Sequence, residues 1–270
     1  KSDIRNEFVR QIVSDIVANS AIGVVELEGV RQDTAKEFAS NQFNEEFWRY
    51  DREIESTWVL RIPDNWEEFV SQTKKSLRRK VKKARKRLES KEVTVRSTSD
   101  GLDFDDAFAI LVKLHQERFV GKGEPGVFSD PKFTDFLYDA AGSLVEKRKA
   151  EILIGFHDSA PSVSHLYLNA KLGPQLYQSG VSAGAMQLEP GHLLFTYAVG
   201  KAIEHGFHEF DFLRGSEPYK PYWGAIPQPI TTARFVSNNL VPTTINRAYQ
   251  FIRKLKNVCR PPIQRQNMST

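Results

Sequence analysis

A mixed α/β fold, a central sheet flanked by helices, is what this sequence predicts, and three observations carry it. The strand-like segments EILIGF (151–156), SVSHLYLN (162–169) and PQLYQSGV (174–181) are separated only by HDSAP and AKLG, connections short enough for hairpins, so they read as an antiparallel meander. An apolar-striped helix then opens at Pro190 and Gly191 and stops at Gly206, a residue suited to a left-handed C-cap. The strand FHEFDFL (207–213) follows at once. A helix of about 14 residues between two strands permits a parallel crossover, and a meander that gains a parallel neighbour is a mixed sheet.

The remaining elements follow in chain order. Apolar residues at helical spacing (Ile4, Phe8, Ile12, Ile16) predict a helix over 4–18, and AIGVVELEGV (21–30) predicts a strand ended by Gly29. A short polar helix and the extended stretch STWVLRIP come next. Pro63, Asp64 and Asn65 mark a helix start, with Asp64 or Asn65 as N-cap and Glu67 and Glu68 at the positive end of the dipole. Trp66, Val70, Thr73, Leu77, Val81, Ala84 and Leu88 then draw one apolar stripe along a helix of about 25 residues. VTVRS (93–97) reads as a strand, 104–119 and 132–147 as amphipathic helices around the loop GKGEPGVFSD, TTARFVS (231–237) as a further strand, and 245–258 as a basic helix before a disordered tail.

Composition bounds the function. At 270 residues, 40% hydrophobic and 27% charged, the chain can bury a substantial core. Its one cysteine, Cys259, excludes an intramolecular disulfide and a multi-cysteine metal site, which points to a reducing compartment, the cytoplasm. No run approaches the roughly 18 apolar residues of a membrane span, and no secretory leader is read. The net charge of +4 is uneven: residues 74–87 hold ten basic side chains and no acid, leaving the rest at −6. That run reads as a solvated face or as an attractor of polyanions: an anionic membrane surface, which would place the protein at the inner membrane face, nucleotide phosphates, or tRNA. Its few aromatics argue against base stacking, and no DNA partner is expected.

Chemistry concentrates in FDFLRGSEPYKPYWG (210–224), where a strand end runs into two cations, an acid, two phenols and an indole, unlike an ordinary turn. By period two, Phe210 and Phe212 share one strand face and Glu209, Asp211 and Leu213 the other. Asp211 is therefore either a brace for the following loop or a general base, and Lys220 and Arg214 are candidates for holding an anionic substrate. The helix start at Pro190, Gly191 and His192 offers unsatisfied N–H groups to an anion. His165 reads as a core histidine or a base, while His115 and Arg118, at a helix end beside the glycine-rich loop, could face a cleft. The six histidines form no metal-ligand spacing, so no metal is expected. The absence of phosphate-loop, dinucleotide and serine-elbow motifs weighs against those enzyme classes.

Four segments in this order, WEEFVSQTKKSLRRKVKKARKRLE, LHQERFVGKGEPGVFSDPKFTDFL, LEPGHLL and FDFLRGSEPYKPYWG, resemble the CelD-like or BioF-like acetyltransferase domain of the GNAT superfamily, which is related to the Fem-type transferases. The resemblance implies the GNAT fold over 63–240, preceded by the remnant of a second GNAT-like half over 1–62 and followed by a basic helix and tail over 241–270. It implies an N-acyltransferase using acetyl-CoA or another acyl-CoA, which inserts where the last meander strand and the strand 207–213 splay apart. The acceptor would be an amine of a small molecule or nucleotide sugar in polysaccharide or cell-envelope synthesis. Pro190, Gly191, His192, Leu193 and Leu194 would hold the cofactor pyrophosphate, although the usual pair of spaced glycines is reduced here to one. Tyr219 or Tyr222 would be the acid, and Asp211, Glu217 or His165 the base. Lys220 matches a lysine implicated in catalysis and phosphate contact in Fem-type relatives, and His115, Arg118, Arg214, Glu217 and Tyr222 are assigned to substrate binding. Two alternatives stand beside this reading: a Fem-like transferase using aminoacyl-tRNA, and a non-catalytic scaffold in polysaccharide synthesis.

Overall fold

The computed structural model describes residues 23–31 and 47–239, with positions 11, 15, 242, 244 and 245. The expected helices over 4–18 and 245–258, the short polar helix before STWVLRIP and the tail lie outside the described residues. The chain divides into two compact units: residues 1–55 with 229–270, and Ser56–Gln228.

In the smaller unit, strand β1 (Val24–Arg31) pairs antiparallel with β8 (Ile226–Ser237), from Val24 opposite Val236 to Arg31 opposite Ile230. Gly29 does not end β1. At φ 69° it sits where the register shifts between Leu27 and Val30, so it makes a bulge and the strand continues to Arg31.

The larger unit carries the sheet predicted from the meander. Its strand order is the last part of β2 (Phe47–Arg61, in this unit from Ser56), β7 (Glu209–Arg214), β6 (Pro174–Val181), β5 (Ala160–Asn169), β4 (Ala150–His157) and β3 (Val93–Ser97). Neighbours run antiparallel except β6 and β7, which run parallel and pair at the single position Gln175–Asp211. Past that position β6 and β7 part.

Two helical layers cover this sheet, and strand alternation sorts the side chains between them. Leu153, Val163, Tyr167 and Phe210 pack with α1 (Trp66–Gln72), α2 (Lys75–Glu89) and α5 (Pro190–Glu204). Ile152, Ile154 and Leu166 pack with α3 (Phe104–Val120) and α4 (Pro131–Glu146). At Gly180 in β6 an added Cβ would lie 2.5 Å from the His115 backbone nitrogen, so the missing side chain lets α3 seat directly on the strand.

The single helix of about 25 residues is in fact two. Asn65 caps α1, its side chain accepting from Glu68 N at 2.8 Å. The chain then turns extended at Thr73 and Lys74 before α2 begins. Arg78 makes the break: its guanidinium donates to the carbonyls of Val70, Ser71 and Thr73 at 2.8–3.0 Å, satisfying the end of α1. No glycine or proline marks that corner, so periodicity alone runs through it. The apolar stripe itself persists, with Leu77, Val81 and Ala84 buried.

Candidate active site

A cavity of about 700 Å³ lies against the end of β6, past the one position where β6 pairs with β7, a size suited to a small-molecule ligand. Its walls are Ser179 and Val181 of β6, the end of α3 (Glu117, Arg118, Gly121, Lys122), the start of α5 (Glu189 to His192, and Phe195), His165, and Tyr219 and Trp223 around the one-turn helix α6 (Tyr219–Tyr222).

The α5 entrance is less open to an anion than the sequence predicts. Glu189, at φ 52°, turns its carbonyl onto the N–H groups of His192 (2.9 Å) and Leu193 (3.2 Å), and Pro190 has none to give. Gly191 N is the N–H left over. Pro190, Gly191 and His192 line the cavity, whereas Leu193 and Leu194 are buried in the core. The Glu189 carboxylate is held by Lys80 of α2 at 2.9 Å, and the hydrogen bond from Lys80 pulls its pKa down. Lys80 Nζ also lies 3.4 Å from His192 Nε2, and burial and that cation lower the imidazole pKa. His192 Nδ1 and Trp223 Nε1 are buried without hydrogen-bond partners among the described residues.

His165 sits deep in the cavity wall. Its Nδ1 is 2.6 Å from the Tyr167 hydroxyl, its ring packs on Phe195, and burial, helped by the charge of Arg118, drives its pKa down to about 3. It is neutral at physiological pH and a weak base. Tyr219 stacks on Phe195, and burial, reinforced by Glu217, raises its phenol pKa well above the ordinary value, so it keeps its proton. Arg118 donates to the Ser179 hydroxyl at 3.0 Å.

The other predicted residues do not line this cavity. Lys220 is 1% exposed, and its ammonium reaches the carbonyls of Leu213, Arg214 and Gly215 and the Glu217 carboxylate. Asp211 is buried and accepts from Thr57 Oγ1 at 2.5 Å and from Leu213 N at 2.8 Å. It thereby braces a bulge in which Leu213 takes a φ of 56°. His115 lies stacked on Phe119 and edge-on to Phe128, where burial lowers its pKa. Arg214 is exposed at the end of β7, opposite Thr57, and Tyr222 lies beside His192 and under Lys80. Glu217 is spent on Lys220.

Glu117 is the residue the sequence reading passed over. It lines the cavity half-buried, and its carboxylate has no hydrogen bond or ion pair among the described residues. The signal that could have found it is the spacing Glu117, Arg118, Gly121, Lys122, which puts one ridge of α3 against one wall. Among the described residues there is no cluster of three or more metal-ligating side chains, and no helix long and apolar enough to cross a membrane.

No curated protein matches the chain. Solved structures share its fold. FemX aligns with a TM-score of 0.63 at 14% identity, over 84% of this chain and 75% of that one. A conserved protein of Bacteroides thetaiotaomicron aligns at 0.57 and 7% identity, over 86% and 75%. L-PGS from Bacillus licheniformis aligns at 0.52 and 12%, over 82% and 70%. The sequence model of the acetyltransferase (GNAT) domain matches residues 74–221, which span α2, the meander, the parted strands and most of the cavity wall. Since that match takes in more than half of the residues, the chain belongs to the GNAT acetyltransferase family and is an acyltransferase.

Proposed function

We propose that the protein transfers an acyl group from acyl-CoA to a primary amine. The observation that carries this reading is the cavity of about 700 Å³ against the part of β6 that has left β7, walled also by the end of α3, the start of α5 and Tyr219, and large enough for a pantetheine arm and its acyl group. Arg118 and Lys122 on the cavity wall favour an amine acceptor that also bears an anionic group, as a nucleotide sugar or an envelope precursor does.

The amine nitrogen attacks the thioester carbonyl carbon, the C–N bond forms and the C–S bond breaks. As the nitrogen becomes positive its proton passes to the Glu117 carboxylate, and the leaving thiolate takes a proton from the Tyr219 hydroxyl. Among the described residues Glu117 is the one cavity carboxylate without a partner, since Glu189 is held by Lys80. Tyr219 is suited to the acid role because burial keeps it protonated. Lys220 and Asp211 hold the loop that presents Tyr219.

An aminoacyl-tRNA donor, as in a Fem-type reaction, is the second reading. The spent N–H groups of His192 and Leu193 favour it, because they leave less for a pyrophosphate. Titration calorimetry with coenzyme A and with charged tRNA separates the two. Micromolar binding of coenzyme A, weakened by Tyr219→Ala, supports the first reading; tRNA binding without coenzyme A binding overturns it.

A further inference from the structure

Helix α2 divides its cations into two sets. Arg78 is spent on the carbonyls ending α1, Lys80 on Glu189, Arg85 on Glu89, and Arg87 on Glu92 and the carbonyl of Leu188. Lys75, Arg79, Lys82, Lys83 and Lys86 are exposed, and their side chains have no hydrogen bond or ion pair among the described residues. At about 100° per residue Lys75, Arg79, Lys82 and Lys86 fall within an arc of roughly 60°, with Lys83 to one side, opposite buried Leu77, Val81 and Ala84, and these four run for about 16 Å along the axis. Helix α2 holds no acid before its last residue, Glu89, so nothing on the helix neutralises the row.

We propose that this outward row docks the protein on an anionic phospholipid bilayer. Four ammonium and guanidinium heads on flexible stems, in one straight line, match a flat surface of smeared negative charge. The row offers no aromatic side chain for a base to stack on and no amide or hydroxyl to read one, which disfavours RNA. Lys80 and Arg87, which reach the cavity wall at Glu189 and the Leu188 carbonyl, stand roughly 110–130° round α2 from the centre of the row, so the docked face lies beside the cavity mouth and leaves it open.

The test is co-sedimentation of the 270-residue chain with vesicles of phosphatidylcholine alone and with about 30% phosphatidylglycerol, near 0.1 M salt. The expected result is binding only to the anionic vesicles, release near 0.5 M salt, and a loss of a hundredfold or more in the K75Q/R79Q/K82Q/K86Q variant, at about fivefold per charge. These side chains hold nothing in the fold, so thermal melting of the quadruple variant matches the parent. Equal binding to both vesicle types, no binding, a quadruple variant that binds like the parent, or bulk tRNA stripping the protein from vesicles at equal phosphate concentration each overturns the proposal. Coenzyme A binding is measured separately and does not enter this outcome.

Discussion

The ammonium of Lys220 lies 2.5 Å from the carbonyl oxygen of Arg214, six residues back along the same loop. With the Leu213 and Gly215 carbonyls at 3.2 and 3.3 Å and the Glu217 carboxylate at 2.9 Å, it closes the turn between β7 and α6 from inside. A lysine in that position acts on the loop first and on a ligand only through the loop. Lys220→Met leaves three carbonyls facing a buried apolar chain, so we expect a loss of roughly 2–4 kcal/mol in denaturant unfolding. The same variant raises the KM and lowers the kcat of acyl transfer together, because Tyr219 and Trp223 lose their support. A variant of unchanged stability with selectively lost activity would return Lys220 to direct substrate contact.

Glu117 gives the opposite expectation. Its carboxylate holds no partner among the described residues, so Glu117→Gln leaves the melting temperature unchanged within the equivalent of about 0.5 kcal/mol. If Glu117 takes the amine proton, kcat with acetyl-CoA and a fixed amine such as glucosamine falls about a hundredfold or more, and the loss persists as pH rises. Glu117→Asp recovers part of the rate. A Gln variant with parental kcat removes Glu117 from the chemistry.

Both residues show what the sequence made legible and what it could not. The meander was readable because period two and two short connections leave one arrangement, and the parallel β7 because a helix of the right length stands before it. The corner at Thr73 was hidden because its cause, Arg78, lies five residues further on inside a run that reads as uniform charge. Lys220 read as a cation for an anionic substrate because lysine is seldom buried, and only the three-dimensional path of 213–217 supplies the acceptors that hold it inside. His115 and Glu117, two residues apart on α3, exchanged roles: helical phase turns the first into the aromatic packing and the second toward the cavity.

Tyr219 is testable through alkaline behaviour. Its phenol pKa is raised by burial, so the folded protein holds this proton where the unfolded chain, near pH 10, begins to release it. Stability from this group is complete below pH 10 and declines as pH rises above it. Tyr219→Phe removes that part of the alkaline decline. If Tyr219 is the acid in an acyl-CoA-dependent transfer, the same variant lowers kcat about a hundredfold with acetyl-CoA, and less with a thioester of a more acidic thiol, whose leaving group needs no proton. Equal losses with both thioesters would exclude the acid role.

His165 governs the acid side. Its pKa falls from 6.5 to about 3 because the ring is buried against Phe195 and near the positive charge of Arg118. The unfolded chain therefore takes up a proton below pH 6.5 that the folded protein refuses until about pH 3, so stability is full above pH 6.5 and drops as pH falls. Well below pH 6 the slope from this one group approaches about 1.4 kcal/mol per pH unit. His115 and His192, whose pKa values are also lowered by burial, add to it with the same sign. Unfolding free energies should therefore decline as pH falls from 6.5 to 5, steepening toward the lower end. His165→Gln, which can keep a hydrogen bond to the Tyr167 hydroxyl, should reduce the slope by that single-proton share while costing little stability at pH 7. A variant whose pH dependence matches the parent would mean that His165 meets solvent in the folded protein, and that the cavity wall behind Ser179 is open to water.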